Sequence, residues 1–140
     1  MKTDRAVFDT SVYIAALRRP LDLPSITAGR QLWMNAVVLE ELYAGAGGRE
    51  VRTLEFLERS FLHTKRMVVP SLHDWRSTGL LLAKLARRFG YEQIGRGRLT
   101  NDALIAVSSA RCGASVVTLN ESDFSRLAEF HDFRWEIAKL

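Results

Sequence analysis

The stretch AVFDTSVYIAA, residues 6–16, passes from one periodicity to another and decides the fold class. Ala6, Val7 and Phe8 form a short apolar run of the kind that makes a buried strand. Asp9, Thr10 and Ser11 end it, and Val12, Ala15 and Ala16 then return at helical spacing. The reading is strand, turn, helix, and any of the three turn residues can cap the helix by accepting from its unpaired N–H groups.

The same alternation continues along the chain. Pro20 and Pro24 mark a loop, and Leu32 to Met34 reads as a second strand. Val38, Leu42 and Gly45 share a helical face, and Gly45, Gly47 and Gly48 stop that helix. Val51, Leu54, Leu57 and Phe61 outline an amphipathic helix, followed by a third strand at Met67 to Val69. Behind a Ser71 cap, the spacing of Trp75, Gly79, Leu82, Ala86 and Phe89 predicts a helix with those residues inward, Arg87 and Arg88 in its last turn and Gly90 beyond. Tyr91 to Leu99 reads as a polar loop. Thr100 or Asn101 then caps a helix with the stripe Ala103, Ala106, Val107 and Ala110, ending at Gly113. Ala114 to Leu119 is a buried strand, and Asp123 opens a short helix with Leu127 inward. Alternating strands and helices predict an α/β fold, a mainly parallel central sheet flanked by helices on both sides.

With 140 residues, the chain fits a single domain over residues 1–140, since one core is commonest at roughly 100 to 150 residues. Hydrophobic residues at 47% and charged residues at 26% exclude a disordered or fibrous chain. Asp4 and Arg5 break the N-terminal apolar run before it reaches signal-peptide length, and no later segment approaches a membrane span, so a cytoplasmic protein with no membrane partner is expected. Cys112 is the sole cysteine, which excludes an intrachain disulfide and a thiolate zinc cluster. His63, His73 and His131 lack metal-ligand spacing. The net charge of +4 and pI near 9.6 permit a phosphate-rich partner without requiring one.

Four acids stand where the chemistry of such a fold belongs. In open parallel sheets the ligand crevice lies beyond the carboxyl ends of the strands. Asp9 follows one strand directly and Asp123 follows another; Asp102 is placed in the first turn of its helix, and Glu41 on the helix after the second strand. Right-handed crossovers would gather them at one sheet edge. Clustered carboxylates repel one another unless a cation neutralises them, and oxygen-only ligands suit magnesium or manganese, the cations of hydrolytic phosphoryl chemistry. Taken singly, Asp9, Asp102 and Asp123 equally serve as helix caps or dipole partners, and Glu41 as a solvated helix residue.

At these residues the sequence resembles the PIN-domain family, and within it the VapC-type toxins of type II toxin–antitoxin pairs. The segments that carry the resemblance are VFDTSVYIAAL (7–17), VVLEELYAG (37–45), LTNDALIAVSSARCGASVVTLN (99–120) and ESDF (121–124). The resemblance implies a PIN-like sheet of about five strands and a metal-dependent endoribonuclease using Mg2+ or Mn2+. Its catalytic and metal-binding residues would be Asp9, Glu41 (ahead of Glu40), Asp102 and Asp123, with Ser11, Thr118 and Asn120 in support. Some relatives carry an acid at the place of Asn120, so either Asn120 or Asp123 completes the set. The resemblance also implies an RNA substrate, a small antitoxin encoded by an adjacent gene, and a homodimer or larger hetero-assembly. Arg96 and Arg98, in the GRGR stretch before Asp102, are the candidate RNA-backbone contacts; an exposed loop without that role is the competing reading. Other readings are a housekeeping PIN nuclease and a non-catalytic PIN-like module that binds RNA or protein. A receiver-like domain also places acids at strand ends but needs a lysine after a late strand, and Ala114 to Asp123 contains none.

Overall fold

The computed structural model describes residues 4–18, 23–90 and 98–140. Along the chain run β1 (Arg5–Phe8), α1 (Thr10–Arg18), α2 (Leu23–Thr27), β2 (Gln31–Asn35), α3 (Ala36–Ala44), α4 (Gly48–His63) and β3 (Met67–Val68). They are followed by α5 (Leu72–Phe89), α6 (Arg98–Arg111), β4 (Ala114–Thr118), α7 (Glu121–Ala128) and β5 (Trp135–Ile137). The strands form one sheet in the order β3-β2-β1-β4-β5. Every pairing is parallel, with Val7 opposite Trp33 on one side and Val116 on the other.

This order places β1 between strands reached by crossovers in opposite directions. From β1 the chain winds outward through β2 and β3, then returns to lay β4 on the other flank of β1. Such a reversal opens a crevice at the carboxyl ends of β1 and β4, where Asp9 and Thr118 lie.

Strand geometry divides the core between the two faces, because neighbouring side chains point to opposite sides. Val117 packs with Ala6, Phe8, Val12, Ile26 and Ala138 beneath α1 and α2. Its neighbour Val116 joins the larger core with Met34, Val38, Leu85, Leu104 and Phe124 on the other face. The Phe124 ring, fully buried, meets Phe133 edge-on at 6.3 Å and stacks on Trp135 at 6.5 Å, which pins the short β5 to α7.

Several elements differ from the sequence reading. In α5 the buried residues are Asp74, Thr78, Leu81, Leu85 and Ala86, so of the expected inward set only Ala86 is buried, and Trp75 is 54% exposed. The helix carries apolar residues on more than one face, and Asp74 selects among them by accepting from the Ser71 N–H and from Arg111 on α6. Helix α6 begins at Arg98 rather than at Thr100 or Asn101, which puts Asp102 in its second turn. A short helix, α2, stands where the prolines suggested only loop. No helix among the described residues is long and apolar enough to cross a membrane.

Candidate active site

Asp9 is the first residue past β1, and its N–H extends the parallel ladder by donating to the Val117 carbonyl at 2.9 Å. That bond fixes its backbone against β4 while the side chain, only 4% exposed, reaches into the crevice. Its Oδ2 accepts from the Thr118 hydroxyl at 2.7 Å and from the Ser11 hydroxyl at 3.1 Å. The two hydroxyls are themselves held, because Ser11 Oγ accepts from Leu119 N and Thr118 Oγ1 accepts from Asn120 N. Strand end, helix start and the β4–α7 turn are thus joined through one carboxylate.

Asp102 lies across the crevice on α6, 5% exposed. Asn120 reaches it from the start of α7: its Oδ1 accepts from Asp123 N as the helix cap, and its Nδ2 donates to Asp123 Oδ2 at 2.9 Å and, at 3.5 Å, to Asp102 Oδ2. Glu41, half-buried on α3, accepts from the Thr10 hydroxyl at 2.7 Å and has the Asn101 side chain of α6 as a neighbour. The four sequence-predicted acids therefore stand at the same sheet edge, on or beside α1, α3, α6 and α7.

Electrostatics record how closely they stand. Burial pushes the Asp102 carboxyl up to about 8, helped by the charges of Asp9 and Asp123, a hydrogen bond with Asp123 and the charge of Glu41. Glu41 is raised as well, chiefly by burial, although Thr10 and the neighbouring Asn101 side chain oppose the rise and the Asp9 and Glu40 charges add to it. As they stand, no three acidic, histidine or cysteine side chains among the described residues converge into a group able to hold one metal ion. The carboxylates are instead turned toward hydroxyls and amides: Asp9 to Thr118 and Ser11, Glu41 to Thr10, Asp123 to Asn120.

A PIN-domain family model matches residues 6–130. The chain belongs to the PIN-domain family. Among solved structures this PIN domain is similar to a chain of the DNA-bound VapBC from Salmonella typhimurium, at 21% identity over 97% of this chain and 98% of that one, with a TM-score of 0.69. It is similar to a chain of VapBC2 from Rickettsia felis bound to a DNA fragment from their promoter, at 20% identity over 96% and 99%, TM-score 0.71. A third likeness is to a chain of VapBC-5 from Mycobacterium tuberculosis, a member of the VapBC family of toxin–antitoxin systems, at 24% identity over 97% and 98%, TM-score 0.59. At such identities the likeness is one of fold. No curated protein matches the chain in sequence.

Within this PIN domain Ser11, Thr118 and Asn120 touch the acids they were expected to support. Arg96 lies outside the described residues, as does the side chain of Arg98, whose backbone opens α6 rather than closing a loop. The sequence reading took Thr10 and Asn101 for helix caps only and passed over Asn35. Each is a polar residue at a helix start, where capping is the ordinary explanation, and only the tertiary arrangement shows that Thr10 bonds Glu41 and that Asn101 is its neighbour.

Proposed function

We propose that this PIN domain is a divalent-cation-dependent endoribonuclease, the toxin of a toxin–antitoxin pair, with Asp9, Glu41, Asp102 and Asp123 as its metal-binding and catalytic acids. The observation that carries the reading is the Asp102 carboxyl, which burial first, and then the neighbouring acids Asp9, Asp123 and Glu41, push up to about 8. A cluster so arranged lacks a counter-charge. The donors are carboxylate and hydroxyl oxygens, which fit a hard cation such as Mg2+ or Mn2+.

When bound, the cation supplies Lewis-acid activation of water and of the phosphate's leaving oxygen. The chain's own residues hold and orient. Thr118 and Ser11 fix one oxygen of Asp9, so that its other oxygen is presented in a set direction. Asn120 holds Asp102 and Asp123 together against their repulsion, and Thr10 keeps Glu41 at the rim. Asp102 would hold the cation in its ionised form, which the opposite charge would favour. Arg96 and Arg98, just before Asp102 in the chain, are the proposed contacts to the RNA backbone.

The antitoxin partner is supported by the fold likeness to the VapBC structures, and a toxin dimer or larger assembly is carried over from the family resemblance alone. Exposed Ile14 and Leu17 line a cavity of about 240 Å³ with Glu41, which gives a protein partner apolar surface beside the acids. The deciding assay is cleavage of a structured RNA by folded protein with saturating Mn2+. Wild type should cut and Asp102→Asn should lose nearly all activity; near-normal cutting by folded Asp102→Asn overturns the assignment.

A further inference from the structure

We propose that Asn35 is a positioning residue that sets the separation of Glu41 and Asp102 by clamping α3 to α6. The inference rests on the metal-centre reading above and adds to it a residue outside the acidic set.

Asn35 ends β2 and, with no residue between, caps α3. Its side chain is fully buried. Oδ1 accepts from Val37 N at 3.0 Å, which satisfies the helix cap. Serine, threonine or aspartate would do that much. What the amide adds is Nδ2, which donates to Ser108 Oγ at 2.9 Å and to Ser109 Oγ at 3.2 Å on α6. Ser108 Oγ in turn donates to the Leu104 carbonyl at 2.6 Å, so its lone pairs are left for Asn35. Both protons of one buried amide are therefore spent on the neighbouring helix.

The positions along the two helices explain why this matters. Glu41 comes six residues after Asn35, and Asp102 comes six residues before Ser108. At 1.5 Å per residue each acid stands about 9 Å from the clamp along its own helix. At the far end the Asn101 side chain of α6 is a neighbour of Glu41. Pairing of 35 with 108 and of 41 with 101 is the pattern of two helices lying antiparallel side by side. A pivot of about 5° at the clamp would shift an acid 9 Å away by roughly 0.8 Å. Displacements near 1 Å at a catalytic centre are enough to cost about a hundredfold in rate.

Two variants cut the tie and keep the cap. Asn35→Thr retains an acceptor for Val37 N but has no amide donor, and the double variant Ser108→Ala/Ser109→Ala retains Asn35 and removes its acceptors. Ser109→Ala alone, which removes only the longer bond, is the mild form. The primary readout is Mn2+ affinity by titration calorimetry at 25 °C, on protein shown by circular dichroism to be fully folded there. The expected result is a rise in Kd of about 10- to 100-fold in the two stronger variants, as for partners that orient metal ligands, and a smaller rise in Ser109→Ala. A merely structural Asn35 would lower the melting temperature and leave the Kd of the folded protein unmoved. A Kd within twofold of wild type in all folded variants overturns the clamp and leaves the metal-centre reading standing. A wild-type chain that binds no Mn2+ overturns that reading, and the clamp falls with it.

Discussion

At the scale of single residues, Asp102 concentrates the tension of the site. Its carboxyl titrates near 8 in the folded chain against an ordinary value of 3.8, so between those values the folded state holds a proton that the unfolded state has released. For an acid raised in this way, stability falls as pH rises from about 4 to about 8 and then levels off. In metal-free protein the melting temperature of Asp102→Asn should therefore gain on that of wild type as pH goes from 5 to 8, measured in the presence of a chelator. A difference that stays flat over that range counts against the raised carboxyl. That the four acids gather at one sheet edge was legible in the sequence, from the strand ends for Asp9 and Asp123 and with the help of the family resemblance for Glu41 and Asp102. The long-range bonds of Thr10 and Asn35 were not. A polar residue beside a helix start satisfies its own neighbourhood, and nothing local reports that Thr10 bonds Glu41, 31 residues away, or that Asn35 bonds Ser108, 73 residues away.

Among the elements, α5 shows most plainly how a periodic pattern can miss the centre of the buried face. Two apolar stripes run along it, and the aromatic weight of Trp75 and Phe89 favours the one that lies at the edge of the buried face, with Ala86 buried, Leu82 and Phe89 half-buried against the core and Trp75 exposed. The buried face is led by an acid. Asp74, 1% exposed, closes a capping box with Ser71 and accepts from Arg111 Nε at 2.8 Å, while Arg111 also donates to the Val69 carbonyl. Burial alone would push the Asp74 carboxyl up, but the Ser71 N–H and Arg111 together bring it below its ordinary value. A lowered acid contributes stability above its unfolded value and loses it as pH falls through the folded one. Arg111→Met should then cost about 1–3 kcal/mol by urea denaturation at pH 7, the range for hydrogen bonds to charge, with the lower part favoured because Arg111 is 42% exposed. The cost should shrink as pH is lowered through the folded value of Asp74, where the acid takes up its proton; a cost that stays the same as pH falls would assign the effect to lost packing. The short edge strand β5 escaped the sequence reading for a different reason. Three residues at a sheet edge, two of them exposed, carry no alternation long enough to detect, and their place comes from the Phe124 and Phe133 rings.

On the scale of the whole molecule, the strand order is what turns dispersed residues into one site. Asp9 and Asp102 are 93 positions apart, and they face each other because β1 and β4 are neighbours at the point where the winding reverses. An acidic crevice in a chain of net charge +4 leaves the surplus of basic charge outside it, and on the proposed function those basic residues would attract a polyanion that the crevice repels until a cation occupies it. If that arrangement is a toxin's, its harm to a cell and its cleavage of RNA must depend on the same carboxylates. Expression of the wild-type chain alone should then arrest bacterial growth, and Asp9→Asn, expressed to the same level and shown to be folded, should be tolerated. Co-expression of the small protein encoded by the adjacent gene should restore growth with the toxin still present, and the two should purify together. Harmless wild type that still cuts RNA in vitro points to a housekeeping PIN nuclease instead. Growth arrest by Asp9→Asn as severe as by wild type would separate toxicity from nuclease chemistry, because that substitution removes the carboxylate bound by Thr118 and Ser11 while leaving the apolar surface around Ile14 and Leu17 intact.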